Sequence, residues 1–307
     1  MSRSRRLAYL ALVVNAVIWG AAFPIIKPSL SFISPLQYLY LRYLVASIFG
    51  IPIVVYFYIK NRPKISYIIK VLLIESIQLI SLPLLYIGLA RTSALDASLI
   101  GATGPVFVVL GGFIFLHEHE RKREWQGMVI SLLGSIALVV GPLLDGHGFD
   151  PGSFSGNTAI IAYNVLYTVY ALTAKHFYKQ RPPLYLGSII YLLASVMYGS
   201  WLYIGGTLPP LTLLITNREV ALAVFYMGLL GSLLAFALYL YGQSKIEVSE
   251  ANLFTYLNGV VAIPAAFLIL GERPTWYMLA AIVVVAYGVW RAETRSRRTS
   301  RKAKVLL

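Results

Sequence analysis

The sequence predicts an all-α membrane protein, with ten transmembrane helices in two inverted five-helix repeats around a central cavity. Three observations predict it. Hydrophobic residues make up 58% of the 307 residues, charged residues only 12%, and mean hydropathy is +0.73. Soluble domains carry about 25% charged residues, so this chain has too few polar groups to cover itself in water. The second observation is an internal repeat: displaced by 154 positions, residues 88–134 fall on 242–288 without a gap. Gly88, Ala97, Leu99, Val106, Phe113, Leu116, Glu118, Val129 and Gly134 meet identical residues, Arg91 meets Lys245, and Asp96 meets Glu250. Third, Lys and Arg cluster between the apolar runs with a marked sidedness.

Five apolar segments run over 7–27, 35–59, 66–90, 94–116 and 123–143, and five more over 156–176, 184–205, 219–243, 248–270 and 275–292. Each is close to the roughly 20 residues that cross a bilayer as a helix. The first follows Ser2-Arg3-Ser4-Arg5-Arg6 and has the length of a span rather than of a signal-peptide core, which predicts an uncleaved helix. Breaker clusters separate the segments, among them Lys60-Asn61-Arg62-Pro63-Lys64, Arg181-Pro182-Pro183 and Pro209-Pro210. With the N-terminus inside, 21 Lys and Arg fall on the cytoplasmic side. Four fall outside (Lys27, Arg91, Arg218 and Arg273), and Arg42 lies within a span. The positive-inside rule then places both termini in the cytoplasm of a multi-pass plasma-membrane protein.

The predicted organisation is a first repeat over 1–143, an external linker over 144–155, a second repeat over 156–292 and a basic cytoplasmic tail over 293–307. Five spans is an odd number, so the second repeat starts from the opposite side of the membrane. Topology accounts for the net charge of +14 without nucleic-acid binding, and the tail suits anionic headgroups. The absence of Cys excludes disulfides and thiolate metal sites. No cofactor is expected. His117-Glu118-His119-Glu120 resembles a metal cluster, but useful helical ligand pairs sit four residues apart.

Several motifs carry a family resemblance. They are Trp19-Gly20-Ala21-Ala22-Phe23-Pro24, Arg42-Tyr43, Ala97-Ser98-Leu99-Ile100, Pro105-Val106-Phe107-Val108, His117-Glu118 and Phe267-Leu268-Ile269-Leu270-Gly271-Glu272-Arg273. In this order and spacing the chain resembles the drug/metabolite transporter superfamily, and within it the EamA-type members with two repeats. The resemblance implies ten helices, a cavity between two five-helix halves, and export of amino acids, metabolites or toxic compounds. The chain departs from the pattern at His117, which replaces a Gly, and at Tyr167, which stands where Trp19 stands in the first half.

Matched helix breaks point to a site near the membrane midplane. Span four carries Gly101-Ala102-Thr103-Gly104-Pro105, and span nine carries Thr255-Tyr256-Leu257-Asn258-Gly259 followed by Pro264, with Pro105 aligned to Gly259. Four strips of polar and aromatic residues share helical faces. These are Asn15, Trp19 and Phe23; Glu75, Gln78 and Tyr86; Tyr163, Asn164 and Tyr167; and Asn252, Thr255 and Tyr256 with Gly259. Such a lining suits a zwitterionic or amphipathic organic molecule. The alternative role for Asn15 and Asn164 is bonding between helices, and for the glycines close packing. Glu75 is the sole carboxylate well inside a span, a depth that suits reversible protonation. Arg42 reads as a structural Arg that snorkels or bonds carbonyls. Lys27 has three readings: an attractor for carboxylates, a gate contact, or a helix-end marker.

The expected function is therefore secondary active export of small organic solutes by alternating access, coupled to protons through Glu75, with bilayer lipid as the other partner. No P-loop supports ATP-driven transport. An intramembrane lipid-modifying enzyme is the alternative class, and a receptor or channel-like protein another. The enzyme needs clustered acids, a nucleophile with its base, or metal ligands at depth; one carboxylate and no His well inside a span argue against it.

Overall fold

The computed structural model describes residues 3–61, 64–116, 122–144, 150–177, 183–246, 254 and 257–293, and among them there is no β-strand. Helices α1 (Arg3–Gly20) and α2 (Ala22–Ile26) form a broken first segment that ends in a 3₁₀ turn over Lys27–Ser31. Then follow α3 (Pro35–Asn61), α4 (Ile65–Arg91), α5 (Ala94–Gly101), α6 (Gly104–Leu116) and α7 (Lys122–Leu144). The second half comprises α8 (Pro151–Phe177), α9 (Pro183–Ile204), a short α10 (Leu213–Thr216) and α11 (Arg218–Phe225). A π-helix over Tyr226–Ala235 joins α11 to α12 (Phe236–Lys245), and α13 (Leu257–Leu270) and α14 (Trp276–Glu293) complete it. Five of these segments are long and apolar enough to cross a membrane, and four shorter apolar helices accompany them.

Local chemistry starts and stops these helices where bilayer-length runs end. Asp150 accepts bonds from the backbone N–H groups of Gly152 and Ser153 and opens α8, with Pro151 in the first turn. The Ser153 side chain, together with these two amides, holds its carboxyl below the usual carboxylate range. Asn217 caps α11 through the Val220 amide. Helix α13 ends on Gly271, whose φ of +70° is left-handed, and the Glu272 amide reaches back to the Ala266 carbonyl in a Schellman-type stop. Large apolar side chains stand outward, including Ile204, Ile215, Leu268 and Val283. In water that surface would associate; in a bilayer it is the solvated face.

The two halves pack by a rule that survives their exchange. Helix α4 lies along α8, as α12 and the π-helix lie along α1; α6 meets α8 as α13 meets α1; α3 pairs with α9 and α7 with α14. The correspondence reaches single residues. A Cβ at Gly88 would meet the Gly156 carbonyl at 2.7 Å and the Ile160 side chain. Its repeat mate Gly242 would meet Leu12 Cγ at 2.5 Å. Leu12 and Ile160 stand in the same relation as Trp19 and Tyr167. Ser131 donates to the carbonyl of its own mate, Val285, at 3.3 Å. A two-repeat membrane fold with pseudo-two-fold packing is what these reciprocal contacts describe.

Candidate functional site

Both halves enclose a cavity of about 430 Å³, within the range of small-molecule sites. Trp19 and Phe23 from the first segment, Arg42 and Tyr43 from α3, and Gln78, Leu82 and Tyr86 from α4 form one side. Tyr163, Tyr167 and Tyr170 from α8, Tyr191 from α9, and Ser232, Phe236 and Tyr239 from the π-helix and α12 form the other, with Asn258 of α13. Among the described residues ten of the 24 that line it are aromatic, and Arg42 is the one that carries a formal charge. The rings are mutually braced: Trp19 on Tyr239 at 5.6 Å, Tyr163 on Tyr167 at 5.7 Å, Tyr167 on Tyr170 at 5.5 Å, and Phe23 edge-on to Tyr86 at 6.4 Å. Three tyrosines on one face of α8 follow from the i, i+4, i+7 spacing.

The π-helix sets the far wall. Its wider turns place carbonyls out of register with ordinary helical donors, and three side chains from neighbouring helices bond them. Asn15 Nδ2 donates to Ala235 O at 2.8 Å, Trp19 Nε1 to Gly231 O at 3.0 Å, and the Tyr191 hydroxyl to Ser232 O. Satisfying buried carbonyls in this way is obligatory at membrane depth. Arg42 is held against the same segment. Its Nε and Nη2 donate to Ser232 Oγ at 3.3 and 3.2 Å, its Nη1 donates to the Tyr86 hydroxyl at 2.6 Å, and the guanidinium lies 4.8 Å from the Tyr43 ring centre.

The break between α5 and α6 spans Ala102 and Thr103, flanked by Gly101 and Gly104, with Pro105 in the first turn of α6. There the Ile100 carbonyl accepts from the Thr103 amide at 3.1 Å, from Asn164 Nδ2 at 2.9 Å and from Thr103 Oγ1 at 2.6 Å. Gly259 brings α13 onto this break, where an added Cβ would lie 3.5 Å from Ala102 Cβ. Helix α13 itself runs unbroken through Gly259 and Pro264.

The structure thus distributes the sequence-predicted residues. Trp19, Phe23, Gln78, Tyr86, Tyr163, Tyr167 and Asn258 line the cavity. Asn15, Thr103 and Asn164 are outside its lining and buried, with their polar groups bonded to backbone carbonyls. Glu75 is 1% exposed and sits behind the wall, accepting from the Tyr170 hydroxyl at 3.1 Å. Asn252, Thr255, Tyr256 and the His117–Glu120 cluster lie outside the described residues. Sequence reasoning passed over Arg42, Tyr43, Tyr170, Tyr191 and Tyr239 as lining residues. Of these, Tyr170 left a signal three positions beyond Tyr167 on the tyrosine face of α8, and Arg42 left one as a charge within a span.

At one end of the cavity the halves are tied by charge. The Glu272 carboxylate accepts from the Ala94 and Leu95 amides at 3.0 and 2.9 Å, and Ser93 Oγ accepts from the Asp96 amide at 2.9 Å, so residues of both halves cap α5. Asp96 Oδ2 in turn accepts from Ser93 Oγ at 2.8 Å. Lys27 Nζ donates to the carbonyls of Leu89 and Thr92 beside this cap and feels the charges of Glu272 and Asp96.

A two-repeat helical membrane fold around a polar-aromatic cavity defines the solute-carrier class of architecture. The EamA-like transporter family model matches residues 6–140 and again 154–292, and the chain belongs to that family. It is a membrane transporter. It is 24% identical over 294 residues to the uncharacterized transporter YcxC of Bacillus subtilis, covering 92% of this chain and 91% of that one. It is 25% identical over 284 residues to the uncharacterized inner membrane transporter YedA of Escherichia coli K12, covering 89% and 87%. A "probable terminal-alkyne amino-acid exporter" of Streptantibioticus cattleyicolor is 27% identical over 292 residues, covering 94% and 93%. A crystal structure at 18% identity superposes with a TM-score of 0.66 over 95% of this chain and 98% of its own, a likeness of fold.

Proposed function

We propose that this transporter is a secondary active exporter of small organic solutes such as amino acids or related metabolites, working by alternating access. The observation that carries the reading is a cavity walled by both repeats, at which the α5–α6 break meets α13. Reciprocal packing supports a rocking motion, because exchanging the roles of the halves preserves every major helix pair. The distribution of 21 Lys and Arg against four supports a ten-span frame in the plasma membrane, with both termini in the cytoplasm, an external linker at 144–155 and an inverted second repeat. In that frame the α5 cap and Lys27 close the outer end. The amino-acid exporter among the relatives supports the solute class.

Coupling to protons is assigned to Glu75, because Tyr170 bonds it and also lines the cavity, linking a buried carboxylate to the solute. Proteoliposomes loaded with an amino-acid mixture test the carrier reading. Uptake of the labelled solute is expected to saturate and to accelerate with the same solute inside. Flux that neither saturates nor responds to the opposite side indicates a channel, and a product formed without flux indicates an enzyme.

A further inference from the structure

The cavity's charge is lopsided. Arg42 brings a full positive charge to a wall otherwise built of rings, aliphatic side chains, amides and hydroxyls, and the partners of its guanidinium are the neutral hydroxyls of Tyr86 and Ser232 and the Tyr43 ring. A guanidinium has five N–H donors. Three are used in these bonds, which leaves one on each terminal nitrogen among the described residues. The side chain is locked by Ser232 on one side and Tyr86 on the other, so its orientation is set before any ligand arrives, and recognition costs little further ordering.

We infer that the cavity takes a monocarboxylate with an apolar or aromatic body, and that Arg42 binds the carboxylate. The inference rests on the reading of this cavity as the solute site. A carboxylate presents two acceptor oxygens to the paired N–H groups of one guanidinium, the bidentate match that Arg makes best. One fixed cation balances one negative charge. A phosphate dianion would retain excess charge in a wall that offers no second cation among the described residues. Trp19, Phe23, Tyr163 and Tyr167 then receive the body of the solute, which needs no hydrogen bonds from them. A free cation is disfavoured because it would meet Arg42.

Matched probes test this. Phenylacetate, phenylacetamide, phenethylamine and L-phenylalanine share a ring and differ in charge. The thermal midpoint of the purified full chain in nanodiscs is followed as each is titrated, since a ligand of the native state raises it. Phenylacetate and L-phenylalanine are expected to raise the midpoint, with affinities about ten- to a hundredfold above the amide and amine, the range set by one charge-assisted contact. Arg42→Gln is expected to erase that preference and Arg42→Lys to keep part of it, because an ammonium retains the charge and loses the fork. Amide or amine binding as tight as the acid, no response to any of the four probes at millimolar concentration, or an acid preference that persists in Arg42→Gln would overturn the assignment. The comparison among ligands on the unaltered protein stands even if the variants fail to fold. Trans-accelerated exchange of a neutral or cationic solute would sink the carboxylate assignment alone. Binding of the acid without exchange of any solute would sink the carrier reading instead.

Discussion

Removing one charge at Glu272 should loosen one end of the cavity by a calculable amount. Its carboxylate accepts from the first two amides of α5, at 3.0 and 2.9 Å, while belonging to the opposite half of the molecule. Glu272→Gln keeps the length of the side chain but turns one acceptor into a donor that faces an N–H. One bond is lost, one amide is left without its partner, and the negative charge at a helix N-terminus disappears. Bonds to charged groups contribute about 1.5–3 kcal/mol each, and the helix-terminal charge about 0.3–1 kcal/mol. Glu272 is half-buried, so water takes over some of the lost bonding. A net cost of about 2–3 kcal/mol to the closed arrangement of this end follows, or a shift of about thirty- to over a hundredfold toward states in which it is open. The chain has no Cys, so a single cysteine at Ser98, which lines the cavity one turn into α5, reports access cleanly. Its labelling by a membrane-impermeant thiol reagent from the face bearing Arg273 should accelerate by that factor when Glu272→Gln is added. A rate within twofold of the Ser98→Cys parent would refute the claim that this cap holds the halves together.

Other expectations follow from the same geometry. Glu75→Gln should abolish uphill transport in proteoliposomes with an imposed pH gradient while leaving exchange of bound solute intact; unchanged uphill transport removes Glu75 from coupling. Asn15→Ala should cost about 1–3 kcal/mol by leaving the buried Ala235 carbonyl unsatisfied, read as a lowered midpoint in detergent unfolding, whereas a role confined to the solute would leave that midpoint alone. At Asp150 the folded carboxyl lies below its unfolded value. Its capping contribution is therefore complete above the ordinary carboxylate range and is lost as pH falls through the depressed value. Protection of the first turn of α8 against hydrogen exchange, taken relative to the intrinsic rate at each pH, should fall over that acid window, and should be insensitive to pH there in Asp150→Asn.

The frame was legible because bilayer burial leaves a coarse imprint. Apolar runs, breaker clusters and the 154-residue displacement depend on composition and order alone, and α3 to α9 begin and end close to the predicted segments. The site was legible only in part. Helical periodicity groups Trp19 with Asn15 on one face, but it cannot say which member of a face meets solute and which meets a carbonyl. Asn15 lost that choice to the π-helix, whose displaced Ala235 carbonyl needed a donor. No local pattern in Tyr226–Ala235 announces an i→i+5 ladder. Arg42 was read as structural because an isolated charge in a span ordinarily is; its hydroxyl partners come from α4 and the π-helix, far off in sequence.

The repeat also divides movement from recognition. Gly88 and Gly242 are mates, each admits a helix from the opposite half, and neither lines the cavity. Arg42 and Glu75 lie outside the aligned stretch 88–134, and they sit at or beside the cavity. Substitution at either glycine should therefore act on the rocking interface alone. At Gly88 the obstruction includes a backbone carbonyl at 2.7 Å, which cannot rotate away, so Gly88→Val should cost about 1–3 kcal/mol of overpacking. At Gly242 the obstruction is the Leu12 side chain, whose rotamer can yield, and the cost should fall at the low end of that range. Solute affinity at equilibrium should stay within about twofold for both, while exchange rates fall, further in Gly88→Val. A variant that weakens solute affinity at unchanged exchange rate would mean that the α4–α8 contact shapes the cavity, and the separation of movement from recognition would fail.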